Sequence, residues 1–329
     1  MPHEVLHLSA DEVDALFDVG TAIESQRAAF TALGNGLADV PGKVMDPSRH
    51  DDSVVFCYAS RMSASTGAVC KFGSLNPGNQ QRGLPSVSAM LTALDPETGQ
   101  PVAIMDGRAV TTNRTAGASA VAADALAVDD AGELAVLGSG VQGQAHVRAI
   151  ARVRPLRTVR MWSPSLERCT AAAEQLSDEL SLPVEAVPTA EDAVTGARIV
   201  ATCTLSTEPV VRGDWLAPGC TVLGVGSFEP TRIEVDRAVL RRANAIVLDE
   251  PETGVAYGGP VIEAVRAGYC TSADVIALGD VLVGRATARS GPEDIVFYNS
   301  VGIGVQDAAA AWAVLDRARQ TGTGTRLRW

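Results

Sequence analysis

The feature that most constrains this chain is a short apolar run that enters a glycine-rich turn and leaves it as a helical pattern, over residues 133–150. The turn has glycines at Gly138, Gly140 and Gly143. In such a turn the first glycine permits a tight bend, the second lets the backbone approach a pyrophosphate, and the third lets the helix pack closely on the strand. A second strand-like run follows at residues 158–162. This order predicts a dinucleotide site in which the phosphates meet the N-terminus of the helix.

The residues that follow the second strand bear on the choice of cofactor. An Asp or Glu there would hold both ribose hydroxyls of NAD and repel a 2′-phosphate. The sequence instead offers Ser163, Ser165 and Arg168, which are two hydroxyl donors and a cation, and these favour NADP(H) over NAD(H). Serine is also a favoured N-cap, so both serines equally suit the start of a helix over about residues 166–180. Glu167 stays a candidate for a ribose hydroxyl.

The rest of the chain divides into two patterns. Strand-like runs alternate with helical ones near 134–137, 158–162, 184–187, 198–203, 221–225 and 245–249. This alternation predicts a doubly wound parallel sheet. Earlier runs at 54–58, 68–72, 87–94 and 102–105 are separated by turns rich in Gly, Pro and Asn, which indicates a mixed or antiparallel sheet. The predicted fold class is therefore α/β, a Rossmann sheet plus a mixed α+β domain.

Further elements complete this prediction. A helix is expected over residues 11–33, led by Ser9 and Glu12 as a capping box. Other helices are expected at 113–126 and 305–319, with one more strand at 295–298.

Composition limits the classes of partner. With 329 residues and 46% hydrophobic content, the chain is long enough for two domains. A net charge of −12 disfavours nucleic acid and anionic membranes as partners. No run reaches the length of a membrane span and the first residues lack a secretory pattern, so we expect a cytoplasmic protein. Six scattered cysteines without a CxxC spacing indicate reduced thiols, and no metal site is expected.

Two cations before the glycine turn are candidates for chemistry. Lys71 lies on a predicted strand whose neighbours Cys70 and Phe72 face the other side. A lysine buried on such a strand would be functional, whereas one on an exposed edge strand is ordinary. Arg114 is expected near the start of a helix of small residues, where it would point at a carboxylate or pyrophosphate, or else lie on the surface. His146, one turn into the helix after the glycine turn, is assigned a packing or solvent role.

Seven segments of the sequence resemble the ornithine cyclodeaminase and mu-crystallin family. They are residues 71–79, 83–86, 94–101, 113–119, 138–143, 225–230 with Glu234, and 300–307. The resemblance covers nearly the whole chain. It implies a substrate-binding and dimerisation domain at residues 1–118 with 300–329, a Rossmann domain at 119–299, and a homodimer. It also implies hydride transfer between a nicotinamide and the alpha carbon of an amino acid or its imine.

The resemblance assigns roles to particular residues. Lys71 and Arg114 are implied as the catalytic cations that hold the substrate carboxylate, and Lys43 as an assisting cation. The implied cofactor contacts, beside Gly138 of the turn, are Ser86, Arg114, Ser139, Gly140, Val141, Gln142, Thr204, Val225, Gly226, Arg232 and Ser300.

Two departures from the family pattern bear on the reaction. The cyclodeaminases have an Asp in the second glycine turn, where this sequence has Phe228 followed by Glu229, both expected to line the substrate. Phenylalanine cannot transfer a proton, and family members that lack the Asp resemble ketimine or imine reductases. The family usually shows Pro-x-Arg where this chain has Pro41-Gly-Lys43. Lysine keeps the charge but loses the bidentate fork of arginine.

The sequence therefore predicts an NAD(P)H-dependent imine or ketimine reductase that acts on a cyclic or open-chain imino acid, or in reverse as an amino-acid dehydrogenase. Two alternatives stay open. One is an ornithine- or lysine-type cyclodeaminase with a catalytic bound NAD⁺, in which Glu229 replaces the missing Asp. The other is a non-catalytic, crystallin-like protein that binds NADPH.

Overall fold

The computed structural model describes residues 4–328, apart from the side chain of Gln80. The chain divides into two compact units: unit 1 combines the residues up to Arg114 with those from Ile303 onward, and unit 2 is Thr115–Gly302. Residues 1–3 and 329, which the predicted first domain includes, lie outside the described residues. The predicted domain boundaries after residues 118 and 299 stay a prediction.

The described part of the chain alternates between strands and helices throughout. The strands are β1 (Glu4–Leu8), β2 (Val44–Pro47), β3 (Val54–Ser60), β4 (Val69–Leu75), β5 (Val87–Leu94), β6 (Pro101–Asp106), β7 (Glu133–Leu137), β8 (Thr158–Trp162), β9 (Val184–Ala186), β10 (Ile199–Thr202), β11 (Thr221–Gly224), β12 (Ala245–Leu248), β13 (Ile276–Ala277), β14 (Val296–Asn299) and β15 (Thr325–Arg328). The helices are α1 (Ala10–Leu16), α2 (Val19–Gly34), α3 (Gly107–Leu126), α4 (Val141–Val153), α5 (Leu166–Leu180), α6 (Ala190–Val194), α7 (Arg237–Arg242), α8 (Pro251–Tyr257), α9 (Gly259–Arg266), α10 (Leu278–Leu282) and α11 (Gly304–Thr321).

Unit 1 is built on a seven-stranded sheet with the order β15-β1-β6-β5-β4-β3-β2. Its pairs are antiparallel except β1 with β6, which is parallel. Helix α11 packs on β3, β4 and β5, and α2 packs on α11. Alternate residues of the central strands therefore point into a core shared with α11, and the residues between them point to the opposite face.

Unit 2 is built on an eight-stranded sheet with the order β13-β12-β14-β11-β10-β7-β8-β9. All of its pairs are parallel. The chain runs outward from β7 to β8 and β9, then returns to start β10 on the other side of β7. Ligands of such sheets bind where the strand order reverses, at the carboxyl ends of the strands. The predicted fold class is confirmed.

Two helix predictions are wrong in their bounds. The helix expected over 11–33 is two helices, because Phe17 leaves the helical conformation and the Asp18 side chain accepts a hydrogen bond from Thr21 N (2.7 Å) to start α2. The capping box at Ser9 is present. The helix expected at 113–126 begins at Gly107, because Asp106 Oδ1 accepts from the backbone N–H groups of Arg108 and Ala109.

Four strands were not predicted: β1, β2, β13 and β15. They are two to five residues long and lie at or near sheet edges. Short edge strands lack the apolar run that identifies a central strand. Among the described residues, no helix is long and apolar enough to cross a membrane.

Candidate functional site

Lys71 lies on β4, a central strand of unit 1, and only 2% of its surface is exposed. Its Nζ donates to Thr111 Oγ1 at 2.6 Å and to Asp307 Oδ1 at 3.2 Å. Its neighbour Phe72 faces the opposite side of the sheet and is half exposed, as the alternation of a strand requires. The alternative of a lysine on an exposed edge strand is therefore wrong.

Arg114 joins the same cluster from α3. Its Nε lies 3.4 Å from Asp307 Oδ1, and its Nη1 donates to Gln306 Oε1 at 3.2 Å. The expected place near the start of a helix is wrong, because α3 begins at Gly107 and Arg114 lies two turns further on. The guanidinium is held by side chains of α11 instead of lying near the N-terminus of its own helix. The alternative of a surface arginine is also wrong, since Arg114 is buried.

Lys43 lies near the cluster because its ammonium group and that of Lys71 contact the same aromatic ring. Its Nζ lies 5.8 Å from the centre of the Tyr58 ring, and Lys71 Nζ lies 5.7 Å from the same ring. Tyr58 stacks on Phe56, with 5.4 Å between the ring centres. Like Lys71, Lys43 is buried. Unit 1 therefore brings together all three cations that the sequence predicts for a substrate carboxylate.

Burial has a measurable consequence for Lys71. Desolvation lowers the pKa of Lys71 to about 8, with Arg114 lowering it further and Asp307 opposing the shift. A lysine with such a pKa is mostly protonated at neutral pH and can still give up its proton to a substrate. The cluster can thus bind an anion and move a proton.

One signal in the sequence could have identified both lysines. Of the 27 basic residues in the chain, Lys43 and Lys71 are the two lysines and the rest are arginines. Both lysines are buried in unit 1 beside Tyr58, while the exposed basic positions carry arginine. Lysine changes its pKa readily on burial and arginine does not. Their scarcity and shared burial make both lysines candidates for a role that a titratable amine serves.

The glycine turn of unit 2 has the geometry of a pyrophosphate site. Gly138 has φ 110°, and a Cβ on Gly143 would lie 1.8 Å from Gly138 O, so neither position accepts a side chain without rearrangement. A Cβ on Gly140 would meet nothing within 4 Å, which leaves its approach side open. Helix α4 begins after Gly140 without a side-chain cap. The N–H groups of its first turn are therefore available to phosphate oxygens, and a dinucleotide fits.

Two further loops lie beside this turn. A Cβ on Gly138 would lie 2.6 Å from Cys203 O, and one on Gly226 would lie 1.9 Å from Thr204 O. The carboxyl ends of β7, β10 and β11 are thus packed together, with the predicted contacts Thr204, Val225 and Gly226 among them. Ser139, Val141 and Gln142 lie in the glycine turn and the first turn of α4, and Val141 is strongly exposed.

A buried carboxylate holds these loops. Glu234 accepts hydrogen bonds from Thr204 N and Oγ1 (both 2.7 Å), Thr202 Oγ1 (2.8 Å) and Ser227 Oγ (3.3 Å). Burial raises the pKa of Glu234, and the donors of Thr204 and Thr202 oppose that rise. The family-like motif included Glu234, but the sequence did not show what it contacts.

A second buried carboxylate, Asp249, holds the loop after β14. It accepts from Tyr298 Oη, from Ser300 Oγ (3.2 Å) and from the backbone N–H groups of Val301 and Gly302 (both 2.8 Å). The hydroxyl of Ser300, a predicted cofactor contact, is thus turned toward Asp249. Sequence reasoning missed Asp249, whose one visible signal is an acid directly after an apolar strand.

The residues predicted to select the cofactor follow β8. Ser165 caps α5 by accepting from Arg168 N (3.4 Å), which confirms the capping interpretation for this serine. Arg168 is exposed in the first turn of α5, and Ser163 lies between β8 and the cap. Ser86, predicted to contact the cofactor, lies in unit 1 before β5, where its carbonyl accepts from Asn76 N (2.7 Å). These cofactor roles stay predictions.

Phe228, Glu229 and Arg232 form a compact group in the loop after β11. The Arg232 guanidinium lies 5.0 Å from the centre of the Phe228 ring, and its Nε lies 3.4 Å from Glu229 Oε1. The carboxylate of Glu229 is therefore paired with a cation.

His146 on α4 is fully buried in unit 2. Its Nδ1 is 2.7 Å from Gln142 O, and its Nε2 is 2.9 Å from Ser119 Oγ. Burial lowers the pKa of His146 to about 4, so the ring is neutral at physiological pH. Of the two roles considered for it, packing is confirmed.

The chain was compared with known proteins. Residues 3–322 match the family model described as the ornithine cyclodeaminase/mu-crystallin family. Ketimine reductase mu-crystallin of Mus musculus is 31% identical over 94% of this chain and 96% of its own length. The structure of Thermococcus litoralis Delta(1)-pyrroline-2-carboxylate reductase in complex with NADH and L-proline has a TM-score of 0.93 at 29% identity, and covers 98% of this chain and 99% of that one.

A third relative is an archaeal alanine dehydrogenase dimer with bound NAD, with a TM-score of 0.93 at 28% identity over 99% of this chain and 100% of that one. All three are named for reactions at C=N or CH–NH bonds, and the present chain is an NAD(P)-dependent oxidoreductase of the same kind. It belongs to the ornithine cyclodeaminase/mu-crystallin family.

Proposed function

We propose that this protein is an NAD(P)H-dependent imine reductase that acts on an imino acid, cyclic or open-chain. The observation that carries the proposal is the buried group of Lys71, Arg114 and Lys43 in unit 1. A carboxylate-bearing substrate fits this group because two or three desolvated cations attract one anion strongly. The same residues would serve the reverse reaction, oxidation of an amino acid.

Lys71 and Arg114 bind the carboxylate and orient the carbon that reacts. Within the part of the chain that the structure describes, Lys71 Nζ uses two of its three donors, for Thr111 and Asp307. The contacts of Arg114 there involve Nε and Nη1 but not Nη2, so each cation keeps a donor for the substrate. Such positioning of reacting groups provides a large share of an enzymatic rate. Lys43 adds a third positive charge beside the Tyr58 ring.

Lys71 is also the group that protonates the substrate nitrogen, or keeps it protonated. An imine accepts hydride far better as an iminium ion, and the proton must come from a group with a pKa near the working pH. Lys71, with a pKa of about 8, meets that requirement. Bound at the glycine turn, the nicotinamide cofactor supplies or accepts the hydride.

Within this function, the residues after β8 favour NADP(H). No acid follows the strand, and Ser163 and Arg168 offer a hydroxyl and an exposed cation to a 2′-phosphate. Relatives are described with NADH and NAD, so the comparison of both cofactors belongs in the first assay.

Cyclodeamination is the weaker candidate. It needs a residue to take a proton from the substrate amine, and Glu229 is the acid nearest to the place of the family's Asp. Glu229 Oε1 lies 3.4 Å from Arg232 Nε, so the carboxylate would have to leave this ion pair to accept a proton from the substrate. A non-catalytic nucleotide-binding role would not account for the buried cluster of Lys71, Arg114 and Asp307 in unit 1.

A homodimer is part of the proposal. On the face of the unit 1 sheet opposite α11, Val44, Phe72 and Met90 are 56%, 50% and 48% exposed. The strand register aligns them in one row through Cys57, across β2, β3, β4 and β5. An apolar row of this kind marks a protein interface, and a dimer is described for the archaeal relative.

Phe72→Glu is expected to convert a dimer into monomers in analytical ultracentrifugation, whereas Val265→Glu, at an exposed position of unit 2, should leave the mass unchanged.

The experiment that tests the function is oxidation of NADPH and of NADH by the purified protein, followed by absorbance. The substrates are pyrroline-2-carboxylate, piperideine-2-carboxylate and pyruvate with methylamine. Consumption with any of them supports the reductase and identifies the cofactor. If none is reduced, yet ornithine or lysine releases ammonia with a catalytic amount of NAD⁺, cyclodeamination replaces the proposal.

A further inference from the structure

Asp307 contacts both Lys71 and Arg114, the cations proposed to bind the substrate carboxylate, and the proposed function gives it no role. One oxygen, Oδ1, is 3.2 Å from Lys71 Nζ and 3.4 Å from Arg114 Nε. Only 1% of the residue is exposed, and its Oδ2 is closed to solvent and accepts no hydrogen bond from the described residues. A substrate cannot reach a carboxylate enclosed in this way, so Asp307 acts through its neighbours.

We propose that Asp307 is a positioning residue, which fixes Lys71 and Arg114 in one orientation through a single oxygen and keeps Lys71 in its ammonium form until the substrate takes the proton. The kinetic consequence rests on the imine-reductase function proposed above. The effect on Lys71 itself does not.

The geometry explains why one carboxylate serves both cations. Two positive charges within about 3.5 Å of the same point repel each other unless an anion lies between them. Gln306, the preceding residue on α11, holds Arg114 from the side through Oε1 at 3.2 Å. The same amide oxygen accepts from Ile303 N at 3.0 Å, which ties it to the start of the helix. The donors that remain on both cations are thus presented together to a ligand.

Among the described residues, the groups that face Lys71 or its aromatic neighbour come from α11, α3, β3 and the segment before β2. Asp307 on α11 favours the ammonium form, and Arg114 on α3 disfavours it. Tyr58 on β3 presents its ring face, with Lys43 on the same ring. Removal of the Asp307 charge leaves the amine beside two cations, the Thr111 hydroxyl and the rings of Phe56 and Tyr58. The titration midpoint of Lys71 should then fall by about 1–3 pH units.

The chain is well suited to a direct measurement of this midpoint. Because it contains two lysines, protein labelled with ¹³C and ¹⁵N in lysine alone gives two side-chain amine signals. Loss of one signal in Lys43→Arg assigns both. Each signal is then followed against pH in the wild type, in Asp307→Asn, and in Asp316→Asn as a matched control. Asp316 lies on the same helix but is exposed, 3.8 Å from Arg319.

We expect a lower midpoint for Lys71 in Asp307→Asn and an unchanged one in Asp316→Asn. The basic limb of kcat/KM should move to lower pH by the same amount, because that limb reports the free enzyme. Activity should recover at acidic pH, where the variant's lysine is again protonated. A uniform loss at all pH values would mean a structural role and would overturn the positioning role.

The remaining outcomes separate this proposal from the proposed function. An unchanged Lys71 midpoint in Asp307→Asn overturns the role of Asp307, whatever the activity. A shifted midpoint in a protein that reduces no imine even as wild type leaves Asp307 as the counterion of Lys71 and overturns the reductase. If Asp307→Asn fails to fold, Asp307→Glu keeps the charge and displaces it by one methylene. We then expect a Lys71 midpoint near the wild-type value with a raised KM, and wild-type kinetics would contradict positioning.

Discussion

Unit 1 and unit 2 both bury carboxylates, but they neutralise them in different ways. In unit 1, Asp307 contacts the ammonium group of Lys71 and the guanidinium of Arg114. In unit 2, Glu234 and Asp249 accept hydrogen bonds from hydroxyls and backbone N–H groups, which are neutral donors. A group of opposite charges responds to an incoming charge, whereas a carboxylate satisfied by neutral donors holds its loops in place.

This difference in partners indicates that the buried carboxylate of unit 1 takes part in the reaction site, whereas those of unit 2 stabilise loops. The charges of unit 1 surround a titratable amine, so a bound carboxylate changes the balance that sets its protonation. The carboxylates of unit 2 stabilise the loops at the ends of β10, β11 and β14, where the predicted cofactor contacts Thr204, Val225, Gly226 and Ser300 lie. Substitutions in unit 1 should therefore change the reaction, and substitutions in unit 2 should change nucleotide affinity or stability.

The largest expected effect comes from Lys71→Met. Loss of the amine removes both a carboxylate contact and the proton donor, and kcat/KM should fall by about 10²–10⁴-fold. Affinity for the nucleotide, measured by fluorescence titration, should stay within about twofold of the wild type because the glycine turn lies in unit 2. Lys71→Arg is the matched control, since it keeps the charge but cannot release a proton at neutral pH. Full activity in either variant would contradict the catalytic role.

The next largest effect concerns the pH dependence of stability, in which a buried base of unit 2 should differ from the buried base of unit 1. Lys71 has a counterion, whereas His146 is buried with neutral partners and has a pKa of about 4. An unfolded histidine has a pKa near 6.5, so as pH falls from about 6.5 to 4 the unfolded chain takes up a proton that the native state refuses. The free energy of unfolding should fall by about 3 kcal/mol across that window and be unaffected by this group above it.

Chemical denaturation at several pH values measures this loss. The comparison is His146→Gln, which keeps hydrogen-bonding capacity toward Ser119 and Gln142 but does not titrate. The wild type should lose more stability than the variant between pH 6.5 and 4, where the carboxylates titrate equally in both. Parallel curves for the two proteins would show that His146 is protonated in the native state as easily as in the unfolded chain.

Substitutions at two glycines of the turn distinguish a residue needed for packing from a residue that contacts the nucleotide, both within unit 2. A Cβ on Gly143 would lie 1.8 Å from Gly138 O, so Gly143→Ala should lower both stability and nucleotide affinity, the latter by more than about tenfold, or 1.4 kcal/mol. Gly140 has open space around it and φ −74°, so Gly140→Ala should fold normally and weaken nucleotide binding alone. Thermal unfolding with and without NADPH separates the effects. Unchanged nucleotide affinity in Gly140→Ala would place the pyrophosphate elsewhere.

The sequence identified unit 2 better than unit 1, for a physical reason. A glycine turn between a strand and a helix is local, so its residues are adjacent in the chain and visible as a pattern. The predicted strands from β7 to β12 and helix α5 agree with the structure to within about two residues. The cluster of unit 1 joins residues as far apart as Lys71 and Asp307, which no spacing rule connects.

What failed in unit 1 depended on single side chains. Asp18 and Asp106 cap helices that the apolar pattern alone did not divide or start correctly. The burial of the Lys71 side chain depends on α11 and α3 covering one face of β4, which the sequence of one strand does not reveal. The presence of two lysines among 27 basic residues was visible from the start, and it marks Lys43 and Lys71 without any knowledge of the fold.

The smallest expected effect tests whether the loop after β11 limits the reaction. Phe228→Asp restores the acid of the cyclodeaminase pattern, and some ammonia release from ornithine or lysine would show that this residue was limiting. We expect the gain to be weak, because Arg232, now 5.0 Å from the Phe228 ring, would pair with the new carboxylate as it already pairs with Glu229. The double variant Phe228→Asp with Arg232→Leu, assayed at saturating NAD⁺ because Arg232 is also a predicted cofactor contact, should then release more ammonia than the single one. Equal release from both would show that the cation does not restrain the acid, and that unit 1 selects the reaction.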